Sequence, residues 1–474
     1  MQPPADDDDR LSATSIDPEE LRIPKKSSLS IIVICNCLLQ VSFFIIVSSS
    51  NDYANRLGGD STFSGIVIGI PTAISALALI PIIRYDKGGY TLPLNISCAS
   101  MILGHILYAC AYQTSWLYLI LIGRIINGFG FTMWMYCKRY CSDARIVGIR
   151  RRTTLASFLV VGQGLGMSLG PFAGGLLYKV GFRNTVFNGF TSPSWVMAAV
   201  WCCFWVCTRL FFVDVPKDAR YTSQPPSQPL TESTPTTNTP SPDDDKEKTS
   251  DPTTKDTIPT YPPPPPPTTN TPTPKYKMSL TQIGVLSCMC WFAMTCFFIL
   301  GAWEANLPVF GSSTPQFHWS PTASGNFIAL GGISCFPFLI LNIFLTRRIS
   351  DRLTLLFGAS LGLSASLVFL SLLRTSKLNY GSIFICWWGV ALGFNIASTT
   401  PVSLLSKQLP PEWNGWVSLA IQYSMYTGRV TGAIWGGSGV KVGMMNYIGL
   451  QIGLVGLGLV MLMILWDGLK AKRG

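Results

Sequence analysis

Twelve runs of about twenty mainly apolar residues leave a chain few folds to choose from, because a helix of that length is what crosses the hydrocarbon core of a bilayer. The runs lie near 29–49, 63–83, 91–112, 117–137, 153–177, 194–213, 279–301, 322–345, 354–373, 380–404, 415–437 and 445–466. Six precede and six follow a polar stretch between Val215 and Met278. Only 12% of the 474 residues are charged, about half the share in a soluble chain. A transmembrane barrel is excluded, since its strands alternate polar and apolar residues and these runs are solidly apolar. The expected fold is an all-α membrane protein with twelve transmembrane helices in two six-helix bundles.

A net charge of +11 raises the question of nucleic acid, and the placement of the charge answers it. Lys and Arg gather in every second connection: Arg84 and Lys87; Lys138, Arg139, Arg145 and Arg150 to Arg152; Arg347, Arg348 and Arg352; Lys407; Lys470, Lys472 and Arg473. The positive-inside rule makes these connections cytosolic, with both termini and the central linker on the same side. The basic residues read as a topology signal, and no nucleic-acid partner is expected.

The domains follow. Residues 1–28, with the run Asp6 to Asp9, form a disordered cytosolic head; 29–213 form the first bundle; 214–278 form a disordered Pro/Ser/Thr-rich linker; 279–466 form the second bundle; 467–474 form a basic tail. The linker holds Pro262 to Pro267, which suits a spacer or a ligand for a proline-binding domain. The first span is long for a signal peptide and is expected to act as an uncleaved insertion signal. The fourteen cysteines fall mostly within spans and read as soft packing residues. Cys137 and Cys141 are one helical turn apart without a second ligand pair, so no metal is expected. No P-loop, His-Glu-x-x-His or paired Cys-x-x-Cys motif occurs, and neither an enzyme nor a cofactor is expected.

The two halves repeat. Gly162, Gly166 and Gly170 in the fifth span recur at one constant interval as Gly428, Gly432 and Gly436 in the eleventh, and Gly123 matches Gly389 and Pro71 matches Pro337 at that interval. The loops after spans two and eight carry Arg84, Asp86 and Lys87 and, in near register, Arg348, Asp351 and Arg352. Small residues every fourth position let helices approach closely. Gly166, Gly170 and Pro171 serve either that packing or a hinge, since proline loosens a turn. Asp86, Lys138, Arg139, Asp351, Arg352 and Lys407 are expected to form a cytosolic gate whose ion pairs break and re-form cheaply.

Ionisable residues deep in spans are costly and imply use. Arg124 in the fourth span and Arg429 in the eleventh supply one guanidinium from each half. The planar fork suits oxyanions. The two are expected to face a central cavity and bind an anion, or else to brace helices through backbone carbonyls. Glu304, near the exterior end of the seventh span, is the candidate proton-coupling carboxylate or a solvated mouth residue. Asn127, Tyr423 and Tyr426 are candidate substrate-binding groups, with Gln163, Asn395 and Gln422 behind them. His105 reads as a satisfied packing residue.

Gly123 and Arg124 followed by Gly128 and Gly130 resemble the fourth-span signature of the major facilitator superfamily. Gly166, Gly170, Pro171 and Gly174 resemble its fifth-span glycine-proline signature. A finer resemblance is to the membrane portion of the SPX-MFS vacuolar phosphate transporters and MFSD-type lysosomal relatives. It rests on Lys138, Arg139, Tyr140 and Asp143; on Phe187, Asn188, Thr191, Pro193, Trp195 and Met197; on Trp303, Glu304 and Pro308; on Trp319 and Ser320; on Leu404 to Lys407; and on Gly428, Arg429 and Val430. It covers most of 29–466 apart from the linker. It implies two pseudo-symmetric bundles, a small-molecule anion (inorganic phosphate first), and a vacuolar or lysosomal membrane. The chain departs from that pattern in Ser398 and in Ala433, where the family carries acids, and it is expected to lack the SPX domain. The expected function is anion transport by alternating access, with proton coupling through Glu304. Alternatives are proton-coupled export of an organic solute or drug, and a non-transporting receptor or scaffold that recruits partners through the linker.

Overall fold

The computed structural model describes residues 21–86, 88–143, 145–148, 151–180, 184–215, 278–345, 349–408 and 414–470, less a few side chains within them, that of Lys407 included. The head before residue 21, the linker from 216 to 277, Lys87 and Arg150 therefore lie outside the described residues. The first half holds α1 (Lys26–Phe44), α2 (Ser50–Arg56), α3 (Ser61–Arg84), α4 (Thr91–Thr114), α5 (Leu117–Phe131), α6 (Met133–Ser142), α7 (Arg152–Val180) and α8 (Ser192–Phe211). The second holds α9 (Leu280–Ser313), α10 (Pro321–Leu345), α11 (Asp351–Arg374), α12 (Tyr380–Ser398), α13 (Thr400–Gln408), α14 (Asn414–Val442) and α15 (Met444–Ile464).

Twelve crossings account for these helices, because the pairs α1–α2, α5–α6 and α12–α13 are each one crossing with a break. The break between α5 and α6 falls at Thr132, and that between α12 and α13 at Thr399. Each hydroxyl donates to the carbonyl three residues back, Thr132 to Phe129 at 2.7 Å and Thr399 to Ile396 at 2.8 Å. Such back-bonding competes with the helical ladder and bends it. The fourth and tenth crossings thus share one irregularity, as a duplicated unit predicts. Among the described residues, eleven stretches are long and apolar enough to cross a bilayer, and α14 is not one of them. At 29 residues it is about 44 Å long, ample for a crossing. Its weaker hydropathy comes from Gln422, Tyr423, Ser424, Arg429 and Thr431, which suits a helix that faces a cavity more than lipid.

The glycine rows do the same work in both halves. A Cβ at Gly166, Gly170 or Gly174 of α7 would run into Gln40, Phe44 or the Ile45 carbonyl along α1. A Cβ at Gly428, Gly432 or Gly436 of α14 would run into the carbonyls of Met294, Phe298 and Ala302 on α9. In each half the fifth helix lies backbone against backbone on the first, an approach that only small residues permit.

The bundles meet along two seams. On one, α3 faces α14: Tyr423 Oη donates to the Ala76 carbonyl at 3.0 Å, Gly65 and Gly69 lie against Ala433 and Val430, and Gly437 against Ser61. On the other, α7 faces α10: Thr322 Oγ1 donates to the Gly175 carbonyl at 2.8 Å, and Gly325 abuts Pro171. Both seams are tight at the face of the molecule remote from the chain ends. There Lys441 Nζ lies 2.5 Å from Asp60 Oδ2, and Ser438 Oγ donates to Thr62 Oγ1 at 3.3 Å. Lys441 holds the Asp60 carboxyl below its usual range, and the Phe63 N–H adds to that. At the termini face, Asp214 accepts from the N–H groups of Tyr90 and Thr91, at 2.9 and 3.0 Å. An acid there satisfies orphan donors at the start of α4 and complements the helix dipole.

Candidate functional site

A cavity of about 1140 Å³ lies between the bundles. Its walls come from both halves, among them Phe43, Phe44, Trp134, Glu304, Tyr426 and Arg429. Ile349, Ser350, Asp351, Arg352 and Lys470 line it at the termini face, and no described residue of the opposite loops does. The void therefore opens toward the chain ends and is shut at the far face by the Asp60–Lys441 end of the seams.

Its charged centre is one ion pair. Arg429 Nη2 sits 2.6 Å from Glu304 Oε2, and Nη1 donates to Oε1 at 3.4 Å. Glu304 is 1% exposed and Arg429 9%. The rings of Phe43 and Phe44 lie 4.9 and 5.1 Å from the guanidinium carbon, so Arg429 is held by a carboxylate and two aromatic faces. The sequence places Glu304 near the end of its span. The helix instead continues through Pro308 to Ser313, 34 residues in all, and carries Glu304 deep inside. Proline is tolerated there because protein, not lipid, surrounds the backbone it disrupts; Asn306 beside it donates to the Gly436 carbonyl at 3.0 Å.

Arg124 departs from expectation. It is fully buried and does not line the cavity. Nε donates to the Val67 carbonyl at 3.1 Å and Nη1 to the Ser42 carbonyl at 3.4 Å, while Nη2 has no partner among the described residues. The two arginines do not look at each other across open space: the Phe43 ring, 5.7 Å from the Arg124 guanidinium carbon, is shared by both. Asn127, one turn on, is equally buried, faces Gly104 and leaves both its polar atoms unpartnered. His105 is buried too, but neither ring nitrogen has a partner, so it is not the satisfied packing residue its sequence context suggests.

The other expected binding residues divide. Tyr426 lines the cavity with its hydroxyl beside Ser75 and Gln422, whereas Tyr423 is taken up by the α3–α14 seam. Gln163, Asn395 and Gln422 line the void. Gln422 Oε1 accepts from Lys138 Nζ at 3.4 Å, linking the halves within it. Among the described residues, no ion pair of the expected gate crosses between the bundles. Asp86 pairs with Arg139 inside the first half. Asp351 accepts from Ser403 at 3.2 Å, and Arg352 stacks 4.6 Å from the Trp466 ring inside the second. The Lys407 side chain lies outside the described residues. Gly166, Gly170 and Pro171 sit at packed seams. Ala433, where the resembled family carries an acid, is wedged against Gly65 and Gly69 and 1% exposed; a carboxylate has no room there.

Sequence reasoning missed Phe43, Phe44 and Trp134, which wall the site, because aromatic residues in apolar runs carry no mark of function. It also missed Asp60 with Lys441, which the alternation of loop charges treats as ordinary exterior residues. All fourteen cysteines are free. No cluster of three metal-ligating side chains occurs among the described residues.

Comparison with known proteins agrees with this architecture. The model of the Major Facilitator Superfamily matches residues 30–433. Two MFS-type transporters of Schizosaccharomyces pombe are 31% and 32% identical over 469 and 466 residues, covering 97% and 96% of this chain and 85% of each relative. An SPX domain-containing membrane protein of Arabidopsis thaliana is 34% identical over 178 residues, 37% of this chain and 24% of that protein. Among solved structures, a POT family transporter in complex with a thioalcohol-conjugated peptide superposes with TM-score 0.65 at 12% identity, covering 94% of this chain and 98% of the other. A bacterial homologue of the human lysosomal transporter Spinster, inward-facing and occupied, gives 0.58 at 14% identity, covering 92% and 94%. Matched along most of its length by the superfamily and along nearly all of it by two transporters, the chain belongs to the major facilitator superfamily of membrane transporters.

Proposed function

We propose that this transporter moves a small anion, inorganic phosphate first, by alternating access, with the Glu304–Arg429 pair exchanging a carboxylate for the transported anion. The observation that carries the reading is that pair, buried at the wall of a cavity whose charged lining is Lys138, Arg352, Arg429 and Lys470 against Glu304 and Asp351. The excess positive charge concentrates anions in the void. Arginine keeps its charge at any physiological pH. Protonating Glu304 removes its hold on Arg429 and frees a bidentate oxyanion site. A proton and an anion thereby enter together, which is symport. The likeness to SPX domain-containing membrane proteins and the sequence resemblance to vacuolar phosphate transporters favour phosphate and a vacuolar or lysosomal membrane. The positive-inside pattern of the loops supports a cytosolic open face and cytosolic termini.

A second reading, an organic anion or other solute, has one observation in its favour. The cavity is at the upper end of drug-sized pockets and is walled by Phe43, Phe44, Trp134, Phe297 and Phe336, more surface than phosphate can use.

Purified protein in proteoliposomes, given labelled phosphate with and without a proton gradient, tests both. Flux that needs Arg429, and that needs Glu304 in order to rise with the gradient, supports the first reading. Absence of phosphate and sulfate flux in vesicles that still accumulate an organic anion refutes it in favour of the second.

A further inference from the structure

Arg124 is a buried charge with an unfinished set of bonds. It has no carboxylate partner among the described residues, two of its donors reach backbone carbonyls, and Nη2 reaches nothing. A plain brace would complete its hydrogen bonds, since leaving a buried charged donor open is costly. Two rings pack on the Arg124 guanidinium, Phe43 and Phe131 at 5.7 and 6.0 Å, and of these Phe43 is the one that lines the cavity. Phe43 lines the void, Arg124 does not, and the Phe43 centroid is 5.7 Å from the guanidinium of Arg124 and 4.9 Å from that of Arg429.

Phe43 stands where its helix stops. α1 ends at Phe44, turn residues follow, and α2 starts at Ser50. The Ser42 carbonyl that accepts from Arg124 Nη1 belongs to that last turn. The ring is packed edge-on against Phe44 and Phe131, at 5.1 and 5.8 Å, and leans on Trp134 at 6.1 Å. Those are apolar surfaces over which a phenyl can turn.

The geometry points to Phe43 as a shutter over a second anion-binding group: when the bundles close on the anion, the ring turns out of its place between the arginines and Arg124 Nη2 joins Arg429 on the oxyanion. This rests on the anion reading above. It assigns the fourth-span arginine to the closed complex and not to the open cavity. Two guanidiniums then hold the anion only in the occluded state, which lowers the barrier to closure for an oxyanion and not for an uncharged solute of like size.

The experiment uses the full-length protein in detergent and in proteoliposomes, with inorganic phosphate as ligand and phenylglyoxal, read by peptide mass spectrometry, as an arginine reagent. Phe43→Leu keeps an apolar side chain, so the test stands even if Phe43→Ala misfolds. In Phe43→Leu, Arg124 modification rises at least fivefold over wild type, and phosphate binds about tenfold tighter. Adding Arg124→Gln to that variant erases the gain. In the wild-type background, Arg124→Gln lowers maximal uptake at least tenfold while resting phosphate affinity shifts less than twofold. Equal Arg124 modification in wild type and in folded Phe43 variants overturns the shutter. So does Arg124→Gln weakening resting binding as much as Arg429→Gln does. Should wild type fail to bind phosphate at all, the anion reading fails, while the modification result still decides whether the ring covers Arg124.

Discussion

Replacing Glu304 by glutamine isolates the exchange at the heart of the site. The substitution keeps shape and one hydrogen-bond acceptor but removes the charge that neutralises Arg429 at 2.6 Å. Removing one partner of a buried ion pair costs about 3–5 kcal/mol. The amide recovers about 1 kcal/mol as an acceptor, and the Phe43 and Phe44 faces at 4.9 and 5.1 Å are unchanged. Roughly 2 kcal/mol or more of unmet demand is left on the guanidinium, which an incoming oxyanion satisfies. At about 1.4 kcal/mol per decade, Glu304→Gln should bind phosphate about thirtyfold tighter than wild type at neutral pH. Its affinity should no longer rise as pH falls. Gradient-driven accumulation should vanish while exchange of labelled for unlabelled phosphate persists. Equilibrium binding to purified protein, with exchange and accumulation in vesicles, reads all three. Binding no tighter than wild type, together with gradient stimulation intact, would refute the idea that carboxylate and substrate compete for Arg429.

Four other expectations concern the frame around that pair. Asp60 and Lys441 are both about half exposed, so their pair is worth up to about 1 kcal/mol, and Asp60→Asn should shift the far face toward open by about twofold to fivefold, read by spin-label distances across the seam. Because the folded Asp60 pKa is depressed, its contribution is complete above the ordinary carboxylate range, near 4, and is lost only as pH falls through the lower folded value; wild-type distances should therefore be equal at pH 7 and pH 5.5, and opening at pH 5.5 would assign the latch to another group. Gly432→Val drives a side chain into the Phe298 backbone and should lower the thermal midpoint or abolish folding, with overpacking of about 1–3 kcal/mol as the minimum. Gly453→Ala, where nothing lies within 4 Å of the new Cβ, should be neutral or raise the midpoint, since alanine favours a helix by about 1 kcal/mol; the reverse ranking would contradict the packing described.

The crossings and their duplication were legible in the sequence because apolar length and glycine spacing are one-dimensional signals. The repeat went further than spacing implied, since Gly166 and Gly432 serve equivalent contacts, each between the fifth and first helices of its own bundle. Legibility ended at facing. Arg124 and Arg429 both lie mid-span, and only the azimuth of each helix, fixed by its neighbours, separates the one behind Phe43 from the one at the wall. A partial signal existed for Arg124, because Asn127 and Phe131 share its helical face and together mark a buried surface more than a wetted one. α14 announced itself by being the least apolar crossing. The reach of α9 past Pro308 was hidden, since a proline reads as a stop when the surrounding protein is unknown.

One consequence follows from the glycine row on α14. Gly428 lies beside Arg429, and the row fastens α14 to α9, which carries Glu304. Acid and base therefore ride on a single strut, and rocking one bundle against the other does not pull them apart. Asp60 and Lys441, on opposite bundles, are parted by motion alone. The transporter thus has a mechanical latch at its far face and, in the mechanism proposed above, a chemical lock within that a proton or cargo would release, whichever way the machine is tilted.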